Sequence, residues 1–222
     1  MTVTPPRRPL GTDVVEQSAN DVRRRRVIAA AAVVVGAGGI GATLRVERGS
    51  AAFYLAGYAL AAVWIVAAIL CGPVRWKGPV QPLNTELLIG VAVGAAMFGV
   101  FVAADEIGRH VSFLAGPITN LLAKADSGPV AAVLALALVN GAAEELFFRG
   151  ALTEAIGTNR ALVVSTIVYI LVTAVAGNTA LTLAAVAMGS VLAIVRGWTG
   201  GLVAPIVTHL VWSTLVIVAL PR

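Results

Sequence analysis

Seven apolar runs without alternation, separated by short polar or glycine- and proline-bearing links, set the pattern of this 222-residue chain. They fall at 27–44, 51–72, 86–104, 129–148, 161–176, 179–195 and 202–220. A bilayer admits only helices or closed barrels, and barrel strands alternate where these runs do not. The fourth run, about 20 residues and about 30 Å as helix, matches the hydrocarbon thickness. The pattern therefore predicts an all-α polytopic membrane bundle of about seven transmembrane helices. Residues 1–26 are polar, carry Pro5, Pro6 and Pro9, and read as a disordered tail. In the longest link, 105–128, residues 107–122 suit an amphipathic helix on the membrane surface. The 149–160 link is expected to turn along the interface. Three regions result: a basic tail at 1–26, three N-terminal helices with a surface segment at 27–128, and a four-helix core at 129–220.

Composition sharpens this. Hydrophobic residues make up 59% and charged ones 12%, with mean hydropathy +0.91, which excludes an ordinary soluble domain. The net charge of +5 is uneven, because Arg7, Arg8 and Arg23 to Arg26 supply six of the sixteen basic residues. Such a cluster abutting an apolar helix is a topology signal rather than a grip for nucleic acid. The loops at 73–85, 149–160 and 196–201 also carry basic residues. Together they predict a multi-pass protein of the plasma (inner) membrane with a cytoplasmic N-terminus, the bilayer as its partner and no nucleic acid. The first run is longer than a leader core and is expected to be retained. Its Gly36-Ala-Gly-Gly-Ile-Gly41 formally matches a dinucleotide fingerprint but lacks the strand and βαβ unit that motif needs. Within an apolar helix these glycines, like Gly90 and Gly94, permit close packing. The single cysteine, Cys71, forms no intramolecular disulfide and no metal-binding spacing. His110, in a polar link, reads as a solvated residue.

The candidate chemistry lies in Asn140-Gly-Ala-Ala-Glu-Glu-Leu-Phe-Phe-Arg-Gly150. Ionisable residues within a membrane helix cost about 2.5–3.5 kcal/mol each, and three within six residues mark a functional site. Glu145 and Arg149 are four apart, the spacing of an ion pair on one helix face. Glu144, about 100° away around the helix, has no local cation and shares a face with Asn140 and Gly141. A second polar island, Thr208-His209-Leu-Val-Trp-Ser213, places His209 at a depth similar to Glu144 and Ser213 one turn beyond it. The alternative is a buried histidine that only adds specificity to helix packing.

Glu-Glu-x-x-x-Arg at the end of a span, followed about sixty residues later by Ala204-Pro-Ile-x-x-His209-x-x-x-Ser213, resembles the CPBP family of CAAX-type, or Abi, intramembrane proteases. The resemblance covers roughly residues 129–218. It implies that Glu144 is the base on the attacking water, that Glu145 and Arg149 hold the helix end, and that His209 helps bind water, a metal or the oxyanion. Zinc is the implied metal, with Glu144 and His209 as its ligands here. A lipidated or membrane-associated protein is the implied substrate. Two positions depart from the family: Thr173, one turn after Tyr169, stands where it has histidine, and Ser213 replaces an asparagine. Both hydroxyls can still donate hydrogen bonds, and Asn140 and Asn178 are further candidate donors. Three readings follow. The first is an intramembrane endopeptidase using Glu144, Glu145 and His209, supported by Arg149, Thr173, Ser213 and Asn140. The second is a non-catalytic adaptor or bacteriocin-immunity-type relative. The third is a proton-coupled carrier, which the lack of an inverted repeat disfavours.

Overall fold

A computed structural model describes residues 19–47, 49–78, 81–111, 115–119 and 128–219. Among them there are helices and no strands, as the apolar pattern requires. The long helices are α1 (Ala19–Arg45), α2 (Ala51–Cys71) and α3 (Leu83–Arg109). The core follows with α4 (Val130–Glu145), a π-helical segment (Leu146–Leu152), α5 (Thr153–Ile156), α6 (Ala161–Ala174), α7 (Thr179–Thr199) and α8 (Val203–Ala219). Five stretches are long and apolar enough to cross a membrane, with α4, the π segment and α5 counting as one, Val130–Ile156. Two of the seven expected spans, α6 and α8, are apolar but shorter. Val34, Leu55, Ile69, Leu88 and Leu171, each more than 60% exposed, point outward, as lipid-facing side chains do.

The elements differ from the sequence reading at three places. Helix α1 begins at Ala19, so the end of the supposed disordered tail is helical, while residues 1–18 lie outside the described residues. Arg26 shows one reason: its Nε and Nη2 donate to Ala155 O (3.1 Å) and Ile156 O (3.3 Å), capping the last carbonyls of α5. The surface helix expected at 107–122 is taken up at its start by α3, which runs on to Arg109. Residues 115–119 are helical, and 112–114 and 120–127 lie outside the described residues. Finally, the link expected from 149 is helical at its start: the chain continues after Phe148 as π-helix and α5 to Gly157, whose φ of 63° ends it.

Glycines let the helices approach. A Cβ on Gly94 would lie 2.8 Å from Thr208 O, and one on Gly90 would lie 2.6 Å from Val207 Cβ. These two positions seat α8 against α3. In α1, Gly36 sits directly against the Trp64 indole, whereas Gly38 faces open space. Trp64 is fully buried and stacks on Phe147 (4.8 Å between ring centroids); Phe148 in turn meets Tyr169 edge-on at 5.1 Å. This aromatic layer underlies the polar residues of the core.

Candidate active site

The polar site forms where α4, the π segment, α6 and α8 meet. Glu145, wholly buried, accepts a hydrogen bond from Arg149 Nη1 at 3.1 Å. The expected ion pair is therefore made, yet not at an exposed helix end: Arg149 is 1% exposed. Its Nη2 donates to Gly189 O at 3.1 Å, and its guanidinium lies 4.6 Å from the centroid of the Tyr169 ring. The π segment makes this burial workable. Widened turns leave carbonyls without good helical partners, and side chains supply donors. Arg196 Nε donates to Arg149 O at 3.2 Å, Thr153 Oγ1 donates to Phe148 O at 2.9 Å, and Ser165 Oγ donates to Phe148 O as well.

His209 reaches this pair rather than meeting Glu144 alone. Its Nδ1 lies 3.1 Å from the same Oε1 of Glu145. With Nδ1–H donating to that carboxylate, Nε2 is the nitrogen left for other work. The cause is Gly141: a Cβ there would stand 3.1 Å from His209 Cδ2 and 3.3 Å from Nε2. Gly141 and Glu145 share a helix face four residues apart, so a histidine seated on the glycine meets Glu145. Glu144, partly buried, lies near Tyr169 of α6 and within the field of His209, Glu145 and Arg149.

The remaining candidates are placed as follows. Ser213 is buried one turn beyond His209. Thr173 is buried, but its hydroxyl donates to Tyr169 O at 2.9 Å. Asn140 Nδ2 donates to Gly57 O (3.2 Å) and Leu136 O (3.0 Å), tying α4 to α2. Asn178 caps α7 through Leu181 N (2.9 Å) and donates to Pro117 O (3.0 Å). His110 is exposed beside Glu106. The sequence reading missed Arg196 and Glu86 as structural charges. Glu86 is wholly buried and accepts from Gly78 N at 2.8 Å. An acidic residue opening an apolar run was the available signal, but its partner is a backbone amide, Gly78 N in the loop just before α3, and a backbone donor leaves no mark in the sequence.

Residues 126–215 match the family model described as Type II CAAX prenyl endopeptidase Rce1-like. Over this segment the chain is similar to that family, in line with the resemblance read from its motifs. None of the curated proteins and none of the solved structures matches it. The family segment holds Glu144, Glu145, Arg149, Tyr169, Thr173, His209 and Ser213. Zinc, which the family resemblance raised, finds a poor donor set. Glu145 Oε1 already serves Arg149 and His209. Among the described residues no group of three or more His, Cys, Asp or Glu is placed to hold a metal ion. A catalytic zinc ordinarily takes three protein ligands. The residues present do not fit it, and no step below runs through a metal.

Proposed function

We propose that the protein is an intramembrane endopeptidase in which Glu144 activates water. The observation that supports it is the polar site itself: two adjacent carboxylates, an arginine and a histidine drawn together inside an apolar bundle. Burial of so many ionisable groups is costly unless they are used or paired. Glu145 and Arg149 are paired, and Glu144 and the Nε2 edge of His209 are left for chemistry.

In this reading Glu144 takes a proton from water as the oxygen adds to the scissile carbonyl carbon. His209, oriented through Nδ1 by Glu145, stabilises the tetrahedral oxyanion from Nε2 when protonated. The proton held by Glu144 passes to the leaving nitrogen as the C–N bond breaks, giving a carboxylate and an amine. The matched family's description makes a prenylated, CAAX-terminated peptide the first substrate to try. A cytoplasmic N-terminus, favoured by the basic residues, would open the site to that side.

The test is hydrolysis of a farnesylated CAAX-terminated peptide by the protein reconstituted in liposomes, with products read by mass spectrometry. Glu144→Gln should lower the rate by about 10²–10⁴-fold with melting temperature unchanged, and His209→Ala should lower it comparably. No cleavage by the parent, or equal cleavage by Glu144→Gln, overturns the reading. A second reading, a non-catalytic adaptor or immunity-type relative, draws support from Thr173, whose hydroxyl is committed to the backbone. In that case partner binding tolerates both substitutions.

A further inference from the structure

A cavity of about 160 Å³ lies between α3, α7 and α8. Small side chains make the room: Ala180, Ala184 and Ala187 recur on one face of α7, at the spacing of successive turns. Larger side chains line it from α3, Phe101 among them, and Asp105 apart the lining is apolar. Val100 and Leu183 also line it, and both are exposed on helices long and apolar enough to cross a membrane. The cavity therefore opens toward hydrocarbon. An apolar cavity of about 150 Å³ stays dry and takes up a guest such as benzene. A helix, about 10–12 Å across, is too wide for a void of that size, whereas a single hydrocarbon chain is not.

The inner end of the cavity meets the polar site. Trp212 lines it, packs edge-on against Phe101 at 5.5 Å and stands 6.2 Å from the His209 ring, centroid to centroid. One side chain thus joins the cavity to the histidine of the proposed reaction. Helix α8 begins where Leu202 N donates to Trp76 O, and Trp212 lies three residues, about 4.5 Å, farther from that end than His209.

We propose that this cavity receives the lipid chain of a prenylated substrate, with Trp212 as the wall that holds the chain beside His209. This deepens the endopeptidase reading and rests on it. In a CAAX-terminated peptide the lipid sits on the cysteine, so every peptide bond of the motif lies within three residues, about 10 Å, of its attachment. A bond held at His209 therefore has its lipid close by, and the cavity is one side chain away. A peptide arriving from the end where α8 begins points its chain away from that end, toward Trp212. Lipid tails are as apolar as the cavity walls, so transfer from the bilayer gains little hydrophobic free energy. What the cavity supplies is register, seating the scissile bond against Glu144 and His209.

The test is photolabelling of the parent protein in liposomes by a CAAX-terminated peptide whose farnesyl-length chain ends in a diazirine, with labelled residues read by mass spectrometry. Labelling should fall on Val100, Phe101 or Leu183, and farnesylated peptide should displace it where the same peptide without lipid does not. Ala184→Phe, which fills the cavity, should reduce this labelling and lower kcat/KM for the farnesylated peptide about 10-fold. The parent's labelling needs no substitution, so it decides the matter even if Ala184→Phe fails to fold. A diazirine-bearing phosphatidylcholine that labels the same residues and is not displaced by farnesylated peptide would mean that bilayer lipid fills the cavity, and overturns the proposal. Peptide labelling confined to other helices, with or without cleavage, also overturns it. Displaceable labelling in a parent that cleaves no peptide supports the lipid site and overturns only the endopeptidase reading.

Discussion

Glu145 is wholly buried, and its Oε1 serves Arg149 and His209 together while Oε2 accepts no hydrogen bond from a described residue. Removing it strands the Arg149 charge with one backbone partner, Gly189 O. Breaking a buried pair in this way costs about 3–5 kcal/mol. Glu145→Ala should therefore lower the melting temperature in detergent sharply, and Glu145→Ala combined with Arg149→Leu should recover part of the loss. A single variant as stable as the parent would contradict the pairing. The pair was legible in the sequence because four-residue spacing alone brings side chains together on a helix. The histidine's partner was not. Depth placed His209 level with Glu144, but which side chain it meets depends on the face α8 packs against, and it meets Glu145. Gly141 decides that, and a glycine's role in a contact shows only once the neighbour is in place.

At the scale of elements, apolar runs located every long helix but not where helices end. Ends follow local hydrogen bonding, as with Arg26 on the α5 carbonyls. The π segment has no periodic signature, and its carbonyl partners come from three other elements: Ser165 on α6, Arg196 on α7 and Thr153 on α5. The Gly90 and Gly94 contact was readable because small residues four apart make a helix groove. Gly94→Val should drive α8 off α3, since even a Cβ would come within 2.8 Å of Thr208 O. His209 lies one residue beyond Thr208, so this variant should lose activity together with stability. Overpacking of this kind costs about 1–3 kcal/mol, and thermal melts with activity assays check it.

Across the whole molecule, one end of the bundle is locked by backbone. Trp76 O accepts from Leu202 N (2.8 Å) and Val203 N (3.3 Å), capping the start of α8. Gly78 and Gly201 each sit against the other loop with no room for a Cβ. Gly201→Ala should open this closure: a Cβ there would lie 2.8 Å from Trp76 O. Proteolysis within 73–78, faster in the variant than in the parent, would register it. Arg25, Arg26 and Arg196 gather at this same end through contacts with Cys71, Ala155 and Glu154, in keeping with the proposed cytoplasmic orientation. At the scale of bilayer and protein together, the two short helices take on a meaning of their own. Helices α6, 14 residues, and α8, 17 residues, are about 21 and 26 Å long, against a hydrocarbon slab of about 30 Å. They are also the two that carry Tyr169 and His209. Thinning of the bilayer beside a short helix is one way in which such hydrophobic mismatch is relieved. Thinning here would bring headgroups and their water toward the side of the protein where the carboxylates lie, so that the deformed membrane itself would shorten the path of water to the site.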